Sequence, residues 1–319
     1  MSLRHPAPAT FLGMLGTHQP PTPTLTRRYI GWCLYALRMR KRLAIDVVAR
    51  RAGRTEMTIR QIEDGARRTT VADVLALCDV YQPSSTDVEA LADLARKSEQ
   101  GHDWWDDCAK PALARYFTLF LGLEDSALLI RQFSDAVVPG LLQTREYTTA
   151  LLHELTATPT RRSAGKGGVE LLRRDVPRRV EVRQRRQRVL TRDNNPLHLN
   201  VVIAQSVLRR QVGTAGTMER QMRHLLAMAD RRNVSVRILP TRTPVRPESA
   251  YMLLTLPVPE PLALSRERDR GGTTVASNSW DVGQYIVTQA QIEGSALDPE
   301  ASLREIRKAA EQWEKASTS

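Results

Sequence analysis

A chain of 319 residues with 41% apolar content is too long for one small domain and rich enough in apolar side chains for ordinary cores, so two domains are expected. It holds no run of about 18 apolar residues, which argues against a membrane-spanning helix. The patch Phe11 to Leu15 is flanked by prolines and too short for a secretory signal, so a cytoplasmic location is expected. The net charge of +12 points to a polyanionic partner. Almost all the cations are Arg, with six Lys, a skew that codon bias in a GC-rich genome can produce; the placement of charge therefore decides more than its total.

Residues 1–26, with Pro6, Pro8, Pro20, Pro21 and Pro23 among Thr and Ala, read as a disordered tail. From Arg27 to about Lys97 the apolar spacing is helical throughout. Ile30, Leu34 and Leu37 share one face of a first helix. Val71, Val74, Leu75 and Cys78 do the same behind a Thr70 N-cap, and Val88, Leu91, Leu94 and Ala95 follow a capping box at Thr86-x-x-Glu89. Five short helices with no strand between them make an all-α unit over 27–98.

Beyond Gln100 the texture changes. Leu197–Ile203, Val234–Leu239 and Tyr251–Leu256 read as strands. Helices are expected over about 217–231 and 299–315. Residues 159–168 and 265–274, rich in Gly and charge, read as exposed loops. The expected fold is α+β, mostly α: a five-helix N-terminal domain and a C-terminal α+β domain over 99–319.

The stretch Ile45 to Gly65, IDVVARRAGRTEMTIRQIEDG, carries the chemistry. Two helices meeting at a steep angle need a small residue where their backbones approach, and Ala49 supplies it. Their turn needs a positive φ, and Gly53 follows four positions later. Ile59 and Ile62 face back toward Val48 and Ala52, and Thr55 is placed to cap the second helix. At 100° per residue, the opposite arc carries Met57, Arg60, Gln61 and Asp64, with Glu56 at its edge. In a helix entering the major groove by its N-terminal half, Glu56, Met57, Arg60 and Gln61 would read bases. Arg60 matches guanine O6/N7, Gln61 adenine N6/N7, Met57 a thymine methyl and Glu56 cytosine N4.

Charge is placed to match. Between Arg27 and Thr70 stand twelve basic residues and four acids. Arg38, Arg40, Lys41 and Arg42 precede the motif, and Arg67 and Arg68 follow it. Arg40, Arg42, Thr55, Thr58, Arg67 and Arg68 are the candidate phosphate contacts.

These residues resemble the lambda-repressor/Cro-like (XRE) helix-turn-helix family, whose equivalent stretch reads roughly LTQ..LA..LGVS.S.IS.IE.G. Ile45 replaces the polar residue that opens the first motif helix, and Arg54 replaces the apolar residue after the turn. The C-terminal half resembles the WhiJ-like, Scr-type actinobacterial regulators described as toxin–antitoxin-like. The segments that carry this likeness are HDWWDDCAKPALARYFTLFLGLE, VVPGLLQTREYTTALL, RRVEVRQRRQRVLTR and MERQMRHLLAMADRRNVSVRILP, within residues 102–240. Members usually carry an acidic pair where Ala204 and Gln205 stand. The resemblance implies a regulator of transcription that binds double-stranded DNA as a homodimer, with a small partner protein as a further implied ligand. Alternatives are an antitoxin whose main role is to neutralise that partner, and a regulator sensing a small molecule.

Other features have plain readings. Trp104 and Trp105 anchor the linker into the second domain's core, or stack a ligand. Residues 138–144, VPGLLQT, form a corner entering a helix, or a partner or ligand pocket. Arg178–Arg192 is a helix behind Pro177 whose arginines are a solvated face, a phosphate contact or a surface for an acidic partner. Cys33, Cys78 and Cys108 read as buried thiols, and the six histidines show no metal-ligand spacing, so neither metal nor cofactor is expected. No P-loop, GxSxG, HExxH or paired carboxylate motif is present, and Gly165–Gly168 lacks the Ser/Thr and the strand of a phosphate loop; catalysis is not expected.

Overall fold

The computed structural model describes residues 22–105, 115–157, 175–245, 247, 249–257, 262–268, 272–276 and 279–318. The chain divides into two compact units: one runs to Ala127 and includes Leu256–Pro261, and the other comprises Leu128–Thr255 and Leu262–Ser319. The loop expected at 159–168 and the thiol of Cys108 lie outside the described residues.

The first unit opens with α1 (Pro23–Arg40), α2 (Ile45–Arg51), α3 (Glu56–Glu63), α4 (Val71–Tyr81) and α5 (Ser85–Gln100). Helix α1 begins inside the segment read as a tail. The Thr22 hydroxyl accepts from the Leu25 N–H at 3.1 Å and Pro23 occupies the first turn, where its missing N–H costs nothing. The core joins Ile30 and Leu34 of α1, Val48 and Ala49 of α2, Ile59 and Ile62 of α3, Val74, Leu77 and Tyr81 of α4, and Leu91 and Leu94 of α5. Leu75 is not part of it: it is exposed, and the inner face of α4 runs through Leu77 and Tyr81 instead. The cap of α5 is Ser84, which accepts from Asp87 N–H, two residues before the expected box. Cys33 and Cys78 are buried and free, as expected; burial pushes their thiols up to about 12 and about 11, which leaves them unreactive.

A sixth helix, α6 (Arg115–Ser126), completes this unit. The tryptophans belong to it also. Trp105 is buried, and the Trp104 indole N–H donates to Asp125 of α6 at 3.4 Å. The pair thus packs with a helix that belongs to the first unit, although the sequence reading put both within the C-terminal domain over 99–319.

The second unit is α+β. Its strands are β1 (Leu129–Ser134), β2 (His198–Ala204), β3 (Val234–Leu239), β4 (Tyr251–Thr255), β5 (Leu262–Arg268) and β6 (Gly272–Ala276), in the order β3-β2-β1-β4-β5-β6. The first three are parallel and the last three run as an antiparallel meander on the far side of β1. Helices α7 (Arg145–Ala157) and α8 (Val176–Arg186) lie between β1 and β2 in the chain, and α9 (Ala215–Ala229) between β2 and β3. Then α10 (Ser279–Ser295) and α11 (Pro299–Thr318) close the fold. Helix α11 lays Ile306, Ala309 and Ala310 against α9, whose inner face holds Met218, Met222 and Leu225.

Strand β1 escapes a sequence reading because Arg131 and Gln132 interrupt its apolar run. Gln132 is nonetheless buried, donating to the Ser134 hydroxyl at 3.2 Å. The loop expected at 265–274 is largely β5 and β6; pairing of Leu262–Arg266 with β4 and of Leu264–Arg268 with β6 satisfies backbone groups that the local composition gave no reason to order.

Two glycines set the geometry of the helical unit. Gly53, at φ +62°, ends α2, and Arg54 N–H reaches back to Ala49 O at 2.9 Å. At Gly31, α1 passes so close to α3 that a Cβ would lie 2.2 Å from Ile62 O and 2.6 Å from Glu63 O. A Cβ at Gly53 would meet nothing within 4 Å. Gly53→Ala should therefore cost only the backbone preference, about 1–2 kcal/mol, and Gly31→Ala about 3 kcal/mol from forced separation of the helices. Urea unfolding followed by helical circular dichroism checks the ranking.

Candidate nucleic-acid interface

Helix α3 is held at both ends. At its start, the Thr55 hydroxyl accepts the Thr58 N–H at 3.1 Å and sits 2.9 Å from the Thr58 hydroxyl. At its end, Glu63 forms a two-pronged ion pair with Arg38 of α1, at 2.7 and 2.9 Å, with side-chain exposures of only 6% and 11%. The same guanidinium donates to Leu43 O at 3.1 Å, fixing the turn between α1 and α2. Arg28 adds a bond to Asp64 O at 2.6 Å.

With Ile59 and Ile62 fully buried, α3 turns its other face outward. Met57 is 63% exposed. Arg60 and Glu56 are exposed and form an i,i+4 pair at 3.5 Å. Such a surface pair is worth about 0.3–0.5 kcal/mol, so either partner can leave it for a base edge at little cost. Gln61 is half-buried at the side of this face. Ala49 is buried where α2 meets α3. At eight residues the helix is about 12 Å long, matched to the width of a major groove.

The cations sort into two classes. Arg40, Lys41, Arg42 and Arg51 are exposed, and no hydrogen bond or ion pair engages their side chains among the described residues. Arg38 is instead spent on Glu63. Arg54 donates to Asp73 Oδ1 at 2.9 Å, and Arg67 lies 3.4 Å from Asp73 Oδ2. Asp73 is buried and also forms the capping box of α4 with Thr70. Arg68 is exposed and donates to Glu99 O. Of the six candidate phosphate contacts, Arg40 and Arg42 thus stand open to solvent, Arg68 bonds to a backbone carbonyl, Arg67 is held by a carboxylate, and the Thr55 and Thr58 hydroxyls pair with each other.

Asp73 was not singled out from the sequence. Its signal was faint: an acid at the third position of a helix opened by Thr. Arg54 replaces an apolar residue of the resembled family, and Asp73 is what makes that replacement tolerable.

Residues 30–91 match a family described as a helix-turn-helix domain, and residues 117–308 match one described as a domain of unknown function, DUF5753. The chain belongs to the DUF5753 family. No curated protein and no solved structure matches it. Residues 30–91 of the first unit are thus a helix-turn-helix domain, the architecture of DNA binding, while most of α6 and the whole mixed sheet lie within the DUF5753 part.

In the DUF5753 part, the corner at 138–144 is a single 3-10 turn, Gly140–Leu142, tied down on all sides. Gln143 donates to Val138 O at 2.7 Å and accepts from Thr148 and Arg183, each at 3.1 Å. Gln221 of α9 is wholly buried, donating to Leu142 O and accepting from Thr144 N–H. Gln187 donates to Gly140 O and Gln143 O. The VPGLLQT signature is thereby a structural hub. Helix α8, expected as a solvated arginine face, turns Arg183 onto Gln143 and buries Arg186. Gln205, in the place of an acid, donates to Glu305 at 2.9 Å and accepts from Thr241. A second carboxylate there would face Glu305.

No group of His, Cys, Asp and Glu able to hold a metal occurs among the described residues, and none of their helices is long and apolar enough to cross a membrane.

Two outcomes follow from these ion pairs. Glu63→Ala strands a nearly buried Arg38 charge and should cost about 3–5 kcal/mol in the urea transition of the helical unit. For Asp73, burial alone would raise the pKa, but hydrogen bonds from Arg54 and Thr70 and the Arg67 charge outweigh it and hold the carboxyl below its ordinary value of 3.8. Its stabilisation is complete above that value and is lost as pH falls through the lower folded-state pKa. The difference in thermal midpoint between the native chain and Asp73→Asn should therefore be largest at neutral pH and shrink below pH 3.8.

Proposed function

We propose that this protein is a sequence-specific DNA-binding regulator of transcription that acts in the cytoplasm by binding and not by catalysis. The observation that carries the proposal is the outward face of α3: Met57 and Arg60 stand in solvent on a helix whose other face is locked into the core. Arg60 pairs with guanine, Met57 meets a thymine methyl, and Glu56 and Gln61 read neighbouring positions. Arg40, the last residue of α1, and Arg42, in the turn that follows, contact phosphates and set register, with Arg68 on the far flank.

The resemblance to XRE-type regulators supports operator binding as a homodimer, with half-sites about one helical turn apart. The likeness of residues 102–240 to toxin–antitoxin-like regulators supports a small partner protein for the DUF5753 part, which would set DNA affinity through that partner. The lack of a catalytic motif in the sequence supports a binding role.

Genomic binding-site mapping would supply the operator, and anisotropy titrations on it and on random duplex would test the face. Arg60→Ala should lose about 1–3 kcal/mol of discrimination at one base pair. Arg42→Ala should weaken all sequences alike and lower the salt slope by about 1. Equal losses on operator and random DNA for Arg60→Ala would remove it from the base-reading set.

A further inference from the structure

We infer that Asp73 is a specificity-determining residue: it withholds Arg54 and Arg67 from nucleic-acid phosphates. This deepens the DNA-binding proposal above and rests on it. Arg54 immediately precedes the Thr55 cap of α3, and Arg67 lies four residues beyond its last residue, Glu63. The two arginines therefore bracket the proposed recognition helix, one at each end. Both are directed at a single carboxylate. Arg54 Nε is 2.9 Å from Oδ1, and Arg67 Nη2 is 3.4 Å from Oδ2, which also accepts the Thr70 N–H at 3.3 Å.

The acceptor is better placed to hold them than a phosphate is to take them. The Asp73 side chain is 5% exposed, and the two arginines are about one-third exposed. Freeing both would leave a desolvated carboxylate without its cations, a cost that no exposed pair on this unit carries. Arg40, Lys41, Arg42 and Arg51 have no such anchor.

The consequence is selective. Each phosphate neutralised adds about 0.9 to the salt slope and tightens binding to every sequence. Two free arginines flanking α3 would therefore strengthen random DNA binding as much as operator binding. Competing sites far outnumber operators, so the ratio of the two affinities governs occupancy. Asp73 keeps local cation density where the turn after α1 needs it and removes it from the ends of the reading helix.

The test uses the full chain and a random-sequence duplex, with anisotropy titrations over a salt series. Asp73→Asn, which keeps the shape and an acceptor for Thr70, should raise the salt slope by about 1–2. It should also tighten random binding several-fold and lower the operator-to-random ratio. The converse variant, Arg54→Gln with Arg67→Gln beside native Asp73, should leave the slope unchanged, while Arg42→Gln lowers it by about 0.9. A structural role alone would weaken both DNAs without raising the slope. A folded Asp73→Asn chain with an unchanged or smaller slope overturns the inference, as does a fall of about 2 in the double variant. If Asp73→Asn fails to fold by circular dichroism, the double variant decides by itself. A native chain with no salt-dependent DNA binding overturns the DNA-binding proposal too, whereas native binding with a slope that falls in the double variant overturns this inference alone.

Discussion

The ion pair between Arg38 and Glu63 is the constraint on which the helical unit turns. Both side chains are nearly out of water, both oxygens of Glu63 are engaged, and the same guanidinium caps the turn at Leu43. Burying two charges is costly unless geometry and further hydrogen bonds repay it. Here the return is positional. The pair joins the last turn of α1 to the last residue of α3 beside Gly31, where the backbones approach too closely for any side chain. The outward face of α3 is then aimed by groups that are themselves nearly buried.

A second carboxylate completes the arrangement. Asp73 caps α4 and holds the arginines on either side of α3, so two acids account for three of the twelve cations between Arg27 and Thr70. Net charge therefore overstates what the surface offers. What remains open to a polyanion is concentrated at Arg40, Lys41, Arg42 and Arg51, and the contrast between held and open cations gives the unit its electrostatic pattern. Screening by salt acts on the open set first, since buried pairs are shielded from counterions.

The DUF5753 part follows a different logic. Its parallel strands β1, β2 and β3 are backed by amphipathic helices, and its signature corner is stitched by Gln143, Gln187 and Gln221, amides that both donate and accept. Such a hub needs every polar group satisfied once it is buried. That explains side chains of this type at the corner without invoking a ligand for them. The neutral Gln205, bonded to Glu305 and Thr241, ties β2 to α11 and the chain after β3.

Short-range rules determined much of this protein. Helical spacing placed Ile30, Leu34, Ile59 and Ile62 inside, the Ala49–Gly53 spacing placed the turn, and Thr55 and Thr70 placed two helix starts, because each depends on residues within a turn or two of the chain. Strands β2 and β3 were legible for the same reason. Tertiary structure alone decided the rest. Pairing of β5 with β4 overrode a loop-like composition, β1 was hidden by a polar pair that burial satisfies, and Gly31 matters only because α3 crosses it. Which arginines stay open was equally beyond local pattern: an ion pair between residues 25 or 19 positions apart is a meeting that spacing does not encode, and only the folded chain brings Arg38 to Glu63 and Arg54 to Asp73.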